Sequence, residues 1–548
     1  MIGASLRHAM SCAEDAADEV ARLSRFARDL PRYLRQPLAV ENARQTIRDR
    51  LATREPRFLR YVERAIFRQP DSPYRRLLNH VGCELGDLRD MVRQDGIEGA
   101  LTILSAGGVY VTFDEFKGRR PIVRGSLRFS PSPNDFDQPG LPCHFAIPTS
   151  GTGGRPTPVR HSLVSNVEIA GATAIALASL GLSRPRQAFW LGAPLSWMLV
   201  AAKLRHPILT WLSPLRSPPL RLRVGARVVQ GLTMLAGQPF PLPCFQDLQD
   251  TRPVVEWIVR AQREPDLVFL TTPSSATRIA STALDLGADL SGTTFLLQNE
   301  PVTVARHRQI AATGARMLTR YGAVETTTPT FGCTTPATPD DVHLMSDRYA
   351  LVERSRPAIE NGPEVRALML ASIHPAMPKV LFNTEMGDMA QVERRTCDCD
   401  FGALGLDTHL SQIRSFEKLT GEGMTFARTN LLLVIEEILP ARLGGGPLDY
   451  QLQEEEDGAG GVRLVLSIDP KVPNVDVEAA RAIFLQSIER GDSVERQMTA
   501  IWRNADTLAV RREAPRATAA GKILPLSLAR GTNDPTVGSG LAELHGPR

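Results

Sequence analysis

Apolar and polar residues follow one another in blocks along the chain, and the spacing within the blocks changes twice. Over roughly the first eighty residues, apolar positions recur at helical spacing between arginines and aspartates, as in "VARLSRFARDLPRYL" and "EPRFLRYVERAIF". We therefore expect a helical N-terminal segment over residues 1–90. Its arginine-rich face is either solvated or in contact with an anionic surface.

Short β-rich runs alternate with helical stretches from about residue 100 to residue 410. "DLVFLTT" is followed by "SATRIASTALDLG", and "TTFLLQN" is followed by "TVARHRQIAATG". Strand, turn and helix repeated at this spacing predict a large α/β domain with parallel and mixed sheets over residues 91–412.

The pattern changes again near residues 412–424. An apolar run, "NLLLVIEEIL", precedes a glycine-rich hairpin-like piece, "EEEDGAGGVRLVLSIDP", and a helical stretch, "VEAARAIFLQSIER". This succession predicts a small α+β domain over residues 413–530. Residues 531–548 are predicted to form a disordered tail.

Composition adds limits to this picture. The chain has 548 residues, of which 43% are hydrophobic and 23% charged, enough for a large core and more than one domain. A net charge of +4 does not call for nucleic acid as the main partner. No signal peptide or membrane-spanning run is visible, so we expect a cytoplasmic protein without a transmembrane segment.

Chemistry is first indicated by the stretch "PTSGTGGRPTPVRHS", residues 148–162. Glycines with threonine and serine before a helical run can direct backbone amides and hydroxyls at phosphate oxygens. The stretch is not a Walker loop, because Gly154 is followed by Arg155 and Pro156. On composition alone a plain turn and a phosphate site stay open.

The same stretch, as "TSGTGGRP", resembles the phosphate loop of adenylate-forming enzymes, the superfamily of acyl-CoA synthetases, peptide-synthetase adenylation domains and luciferases. Gly153 stands for the second threonine of the family loop, and Thr157 for its closing lysine. Further family-like stretches follow in the family's order: "TRYGAVETT", "LFNTEMGDMA" and "PRATAAGKILP".

The resemblance implies a role for each of these stretches. Lys522 is the catalytic lysine that bridges the substrate carboxylate and the α-phosphate of ATP. Glu325 holds Mg²⁺, and Thr326 lies near the α-phosphate or the substrate. Tyr321 stacks on adenine, and Asp388 binds both ribose hydroxyls.

The other nucleotide-binding positions that the resemblance implies are Thr149, Ser150, Gly151, Thr152, Gly153, Gly154, Asn299, Glu300, Pro301, Gly322 and Arg414. The family rotates its small domain between the two half-reactions. The hinge is expected between Ser415 and Lys418, with Glu417 and Lys418 both open as the hinge residue.

Within the superfamily the chain is most similar to the phenylacetate-CoA ligase and coenzyme F390 synthetase branch. The phrases that carry this similarity are "QNEP", "SPYRRLL", "YQLQEEEDGAGGVRLVLSID" and "CDC". By that resemblance Cys333, His343, Cys397 and Cys399 form a set of three sulfurs and one imidazole, typical of a structural zinc site. Ordinary reduced cysteines with a surface histidine are the alternative.

The resemblance implies a carboxylate–CoA ligase. A small-molecule carboxylic acid, ATP with Mg²⁺, and CoA would give acyl-CoA, AMP and pyrophosphate. Two alternatives stay open: adenylation followed by transfer to a carrier-protein thiol or an amine, and a non-catalytic nucleotide-binding or partner-binding homologue. The identity of the acid, the role of the N-terminal helices and the choice between monomer and homodimer are also open.

Overall fold

The computed structural model describes residues 2–149, 157–215, 220–264, 266–358, 364–415, 420–421, 424–425, 431–456, 462–489, 508–518 and 521–527. The chain forms two compact units. The first consists of Met1–Thr420, Thr425–Arg428 and Ala517–Ile523. The second consists of Gly421–Met424, Thr429–Arg516 and Leu524–Arg548.

Helices dominate the start of the first unit, as the sequence predicts. They are α1 (Ile2–Arg35), α2 (Val40–Ala52), α3 (Arg54–Val62), α4 (Pro73–His80), α5 (Leu85–Ala106) and α6 (Phe113–Phe116). In α3 the apolar positions Phe58, Tyr61 and Val62 are buried, while most of its charged residues stay accessible. The helical segment therefore packs through one face of each helix.

Two β-hairpins follow these helices. The first joins β1 (Ile122–Arg124) to β2 (Leu127–Phe129). The second joins β3 (Phe145–Pro148) to β4 (Pro158–His161), with Phe145 opposite His161 and Pro148 opposite Pro158. The glycine-rich stretch is thus the connection between two antiparallel strands.

A six-stranded parallel sheet forms the centre of the first unit. Its strands are β5 (Arg186–Trp190), β6 (Ile208–Ser213), β7 (Pro243–Phe245), β8 (Leu267–Thr271), β9 (Thr293–Leu297) and β10 (Arg316–Thr319). Their order in the sheet is β10-β9-β8-β5-β6-β7. Every residue of β8 and β9 is buried, as expected for parallel strands covered on both faces.

Helices connect these parallel strands. They are α7 (Leu163–Ser179), which precedes β5, and then α8 (Leu195–Lys203), α9 (Leu220–Leu235), α10 (Arg252–Ala261), α11 (Pro273–Asp285) and α12 (Val304–Ala311). The predicted pairs of strand and helix, β8 with α11 and β9 with α12, are confirmed.

A second, antiparallel sheet completes the first unit. Its strands are β11 (Thr330–Gly332), β12 (Val342–Leu344), β13 (Tyr349–Pro357), β14 (Glu364–Ser372), β15 (Thr384–Arg394) and β16 (Thr408–Ser415), with the short helix α13 (Asp400–Ala403) before β16. The order is β11-β12-β16-β15-β14-β13. The core beneath this sheet includes Phe58, Tyr74 and Phe382, whose rings lie about 6 Å apart (centroid distances 6.3 and 6.0 Å).

The second unit is a small α+β unit. The remaining strands and α-helices of the described residues are β17 (Thr420–Gly421), β18 (Met424–Thr425), α14 (Leu431–Leu433), α15 (Leu439–Leu443), β19 (Tyr450–Glu456), β20 (Val462–Ile468), α16 (Val477–Glu489), β21 (Leu508–Arg512) and β22 (Leu526–Ser527). The principal sheet of the second unit has the order β21-β20-β19-β22. The predicted hairpin is the antiparallel pair of β19 and β20.

The described residues also form two π-helical turns, at Glu63–Phe67 and Val434–Ile438, and two 3₁₀ turns, at Pro133–Phe136 and Val324–Thr326. Among the helices the structure describes, none is long and apolar enough to cross a bilayer. The α/β fold class with a smaller α+β unit is confirmed. The predicted domain boundaries, after residues 90, 412 and 530, stay predictions.

Candidate active site

The glycine-rich loop begins and ends on a pair of threonines. The Thr149 N–H donates to the Thr157 carbonyl (3.0 Å), and the Thr157 N–H donates to Thr149 Oγ1 (3.0 Å). These two bonds extend the β3–β4 hairpin to the base of the loop. The predicted positions within it, Ser150, Gly151, Thr152, Gly153 and Gly154, lie outside the described residues.

Tyr321 and Asp388, predicted for adenine and ribose, are direct neighbours. Tyr321 follows β10 and Asp388 lies in β15, and the Tyr321 hydroxyl donates to Asp388 Oδ2 over 2.8 Å. Loss of solvent, followed by the charge of Asp388, raises the pKa of Tyr321 well above its ordinary value. The phenol is therefore neutral and keeps its donor hydrogen.

Glu325 and Thr326 lie in the 3₁₀ turn after Tyr321, and both are buried. The Glu325 carboxylate forms an ion pair with Lys117, which directly follows α6. The Thr326 hydroxyl accepts from the Ala323 N–H at 2.9 Å. The sequence offered no signal for Lys117, because it lies 208 residues from Glu325.

Gly322 is required by close packing. A Cβ at this position would lie 2.7 Å from Pro329 Cδ and 3.1 Å from the Thr327 carbonyl oxygen. Thr327 itself has φ 54° and ψ −100°, a backbone conformation that is costly for a β-branched residue. The turn that presents Glu325 is therefore tightly constrained on its C-terminal side.

Lys522 belongs to the first unit and is only 7% exposed. Its ammonium donates to the main-chain carbonyl of Asn299 over 3.2 Å. Asn299 has φ +72°, a conformation that asparagine tolerates better than most residues. The structure thus brings together two predicted residues, one from "QNEP" and one from "AAGKI".

Glu300 turns inward, whereas Pro301 is exposed. Glu300 Oε2 accepts from the Ser274 N–H (3.1 Å), the Ser274 hydroxyl (2.5 Å) and Arg306 Nη1 (2.8 Å). Sequence reasoning missed Ser274 and Arg306. Arg306 lies inside the quoted stretch "TVARHRQIAATG". Ser274 lies in the first turn of the helix that follows β8, near the carboxyl end of a parallel strand, which is a common site position.

Two side chains, Trp197 and Arg320, hold Gln298, the first residue of "QNEP". Gln298 Oε1 accepts from Trp197 Nε1 (3.0 Å) and Arg320 Nε (3.1 Å). The Arg320 guanidinium lies over the Trp197 ring, 4.3 Å from its centroid. Loss of solvent lowers the pKa of Arg320 to about 9.

Arg414 lies in β16, opposite Met389 of β15 and therefore one position from Asp388. Its Nη1 is 3.3 Å from Asp340 Oδ2. The Ser415 hydroxyl donates to the Gly387 carbonyl (3.2 Å). Of the predicted hinge, Glu417 and Lys418 lie outside the described residues.

The four predicted zinc ligands converge on one point. Cys397 Sγ lies 3.8 Å from Cys333 Sγ, 3.2 Å from Cys399 Sγ and 3.5 Å from His343 Nε2. Cys399 Sγ lies 3.0 Å from His343 Nε2, and all four donor atoms are within 4.8 Å of one another. We call these four residues the Cys–His cluster.

The Cys–His cluster has the donor set of a tetrahedral zinc site. Zn–S bonds of about 2.3 Å and Zn–N bonds of about 2.0 Å place the donors about 3.5–3.8 Å apart. The separations of Cys397 from Cys333 and from His343 match this range, and the separations of Cys399 from Cys397 and from His343 are shorter, at 3.2 and 3.0 Å. The His343 Nδ1–H donates to the Leu406 carbonyl (2.7 Å), which turns Nε2 toward the sulfurs. Gly402 leaves room for the loop, since a Cβ there would lie 2.3 Å from the Cys397 carbonyl oxygen.

Comparison with known proteins bears on the fold. No protein-family model matches the chain, and no curated protein matches its sequence. Among solved structures, a 2-hydroxyisobutyryl-CoA ligase crystallised in the postadenylation state with R3-HIB-AMP is 16% identical, and the match covers 90% of both chains with a TM-score of 0.50.

Two other solved structures are less similar. ATP-bound MatB from Rhodopseudomonas palustris is 14% identical over 77% of this chain and 70% of its own, with a TM-score of 0.40. O-succinylbenzoate coenzyme A synthetase from Bacillus subtilis, in complex with ATP and magnesium, is 13% identical over 69% and 68%, with a TM-score of 0.39. The first of these comparisons shows the fold: over 90% of its length the chain folds like the 2-hydroxyisobutyryl-CoA ligase.

Proposed function

We propose that this protein is an AMP-forming acid–thiol ligase. It would activate a small-molecule carboxylic acid with ATP and pass the acyl group to CoA. One observation carries the proposal: the ammonium of Lys522 donates to the Asn299 carbonyl. The last sequence motif thereby meets a motif more than two hundred residues earlier, within the unit that contains Tyr321, Glu325 and Asp388.

In the first half-reaction a carboxylate oxygen attacks the α-phosphorus of ATP and pyrophosphate leaves, which forms an acyl-adenylate. Both reactants are anionic, so catalysis depends on positioning and on positive charge near the transferring phosphorus. The Lys522 ammonium would supply that charge between carboxylate and α-phosphate. Glu325, already paired with the cation of Lys117, offers a carboxylate ligand to Mg²⁺, which screens the phosphates when bound.

The nucleotide would be held by side chains that are already ordered. The Tyr321 ring offers a face for adenine, and the Asp388 carboxylate accepts from the ribose hydroxyls. The 2.8 Å bond between them fixes the carboxylate relative to the ring. The loop after Thr149 would supply backbone amides and hydroxyls to the phosphates.

In the second half-reaction the CoA sulfur attacks the acyl carbonyl carbon. The carbon–oxygen bond to the phosphate breaks, AMP leaves, and the thiol proton passes to solvent. A carrier-protein thiol or an amine can take the place of CoA in this step. Its sulfur or nitrogen attacks the same carbon, AMP leaves, and one proton again passes to solvent.

We further propose that the Cys–His cluster holds a structural zinc ion and that the chain is phenylacetate-CoA ligase-like. Four protein ligands leave no open coordination position, so this zinc would be structural. It would tie the β11–β12 region, which carries Cys333 and His343, to the segment with Cys397 and Cys399. Reduced thiols agree with the predicted cytoplasmic location.

The proposed function is tested by pyrophosphate release. The protein is supplied with ATP, Mg²⁺ and a panel of aromatic and fatty acids, with and without CoA, and thioester is assayed in parallel. We expect acid-dependent pyrophosphate release, with thioester formed only when CoA is present. Release without any CoA thioester would favour a carrier protein or an amine as acceptor. No release with any acid would favour the non-catalytic homologue.

A further inference from the structure

Three buried polar residues form one group beside the segment that carries Lys522: Ser274 and Arg306 contact the segment, and Glu300, one of the predicted nucleotide-binding positions, contacts both of them. Ser274 is 0% exposed, Arg306 3% and Glu300 9%. They come from the first turn of α11, the first turn of α12 and the connection between β9 and α12. No two of them are neighbours in sequence, so only the fold assembles them.

The Ser274 hydroxyl uses its full hydrogen-bonding capacity. It donates to Glu300 Oε2 (2.5 Å) and accepts from the Ile523 N–H (3.2 Å) and from Arg306 Nη1 (3.3 Å). The charge of Glu300 is balanced by Arg306, whose Nη1 lies 2.8 Å from Oε2.

Arg306 also reaches the lysine segment itself. Its Nη2 donates to the Ile523 carbonyl over 3.2 Å. The Ile523 N–H and C=O are therefore both bound by this group of side chains. A third contact lies on the other side of Lys522, where Arg278 Nη1 donates to the Gly521 carbonyl over 2.8 Å.

The chemistry of these contacts suggests a geometric role. Buried ion pairs contribute little to stability compared with an apolar core, because both charges lose their hydration. They do impose direction, since a planar guanidinium and a carboxylate pair only in defined orientations. Here the Arg306 guanidinium bonds directly to the main chain next to Lys522, and the Glu300 carboxylate fixes the orientation of that guanidinium.

We propose that Ser274, Glu300 and Arg306 form a lysine clamp, in which Ser274 and Arg306 bind the main chain of Ile523 and Glu300 holds both of them, and that this clamp positions the Lys522 ammonium for adenylate formation. The statement about catalysis rests on the proposed function above. The clamp residues are positioning residues, because they act through Lys522. A lysine displaced by about 1 Å is expected to lose on the order of 100-fold in rate.

The test compares Ser274→Ala and Arg306→Lys with the control Arg308→Lys. Arg308 is exposed on the same helix as Arg306. Acid-dependent pyrophosphate release reports adenylation, and thioester formation from supplied acyl-adenylate reports the second half-reaction.

We expect adenylation to fall about 100-fold in both clamp variants. The second half-reaction is expected to stay within about 2-fold of the wild type, and the control to match the wild type in both. The double variant of Arg306→Lys and Lys522→Ala should have the same adenylation rate as Lys522→Ala alone, because both changes remove the same function of Lys522. Equal losses in both half-reactions, or additive losses in the double variant, would overturn the proposal.

A second measurement needs no substrate. Hydrogen exchange of the Ile523 amide is measured in the full-length wild type, Ser274→Ala and Arg308→Lys proteins. We expect faster exchange only in Ser274→Ala, because that amide donates to the removed hydroxyl. Unchanged exchange would refute the clamp. The two measurements also separate the two proposals. If the wild type releases no pyrophosphate with any acid, the proposed function is refuted. Faster Ile523 exchange in Ser274→Ala would still support the contact between the clamp and the Lys522 segment.

Discussion

The Cys–His cluster and the Lys522 segment lie in the same unit, yet each is assembled differently. In the cluster the four donor atoms themselves meet, within 4.8 Å of one another. At Lys522 a single ammonium matters, and the lysine clamp contacts the main chain beside it, through Ile523. The Cys–His cluster thus depends on the positions of its four donor side chains. The Lys522 segment depends on the side chains that bind its main chain.

Because of this difference, we expect substitutions in the Cys–His cluster to affect stability and substitutions at Lys522 to affect the reaction rate. Removing a cluster ligand should change the stability of the fold, because a metal that binds only the folded state stabilises it. Removing the lysine should change a reaction rate, because the amine acts on reacting atoms and supports little of the core. Measuring both the stability and the reaction rate of each variant tests this expectation.

The largest effect is expected for Lys522→Ala. Loss of one positive charge at the transferring phosphorus should lower acid-dependent pyrophosphate release by about 100- to 1,000-fold. ATP binding and the thermal midpoint should stay close to those of the wild type. Unchanged pyrophosphate release would refute the assignment of Lys522, and a large fall in the thermal midpoint would erase the contrast with the cluster.

The next effect is expected for Cys399→Ser. Purified without a histidine tag, the wild type should contain about one equivalent of zinc and the variant much less. The free energy of unfolding should fall by about 4 kcal/mol or more, as for the loss of other structural metals. Cys244→Ser is the matched control, because Cys244 is an exposed free cysteine. Zinc well below one equivalent in the wild type would contradict a metal site.

Asp388→Ala comes third, because Asp388 combines the proposed ribose contact with a hydrogen bond to an ordered neighbour. Removing a carboxylate that accepts hydrogen bonds from ribose should raise the KM for ATP by about 10- to 100-fold. The Tyr321 hydroxyl also loses its partner at 2.8 Å. Glu393→Ala, an exposed acid on the same strand, serves as the control. An unaffected nucleotide KM would count against the ribose role.

The smallest effect is expected for Gly521→Ala. Gly521 has φ +81°, which strains an alanine, and an added Cβ would lie 2.7 Å from Leu248 Cδ1, so the Leu248 side chain or the segment must shift. Adenylation should fall several-fold, with a stability loss of about 1 kcal/mol. Gly287→Ala has a similar positive φ of +62° with nothing within 4 Å, and it controls for backbone strain alone. Equal adenylation rates in the two variants would show that the local backbone does not position Lys522.

Periodicity and motif order made much of this molecule predictable. The helical N-terminal segment, the parallel strands β8 and β9 with their helices, and the hairpin of β19 and β20 all follow from local patterns that each segment carries by itself. The three cysteines and His343 could be grouped from the family resemblance, and their side chains are types that bind zinc. The pairing of Glu325 with Lys117 could not be predicted, because neither residue carries a local signal for the other.

The sequence alone determined which residues have the chemistry that the proposed function needs: the glycine-rich loop, Tyr321, Glu325, Asp388, the four residues of the Cys–His cluster and Lys522. The tertiary structure alone decided how they are held. The hydrogen bond from Arg306 to the Ile523 carbonyl spans 217 residues, and the bond from Tyr321 to Asp388 spans 67. Contacts at such separations depend on how two sheets and their helices pack, and buried charges find partners there that no local pattern specifies.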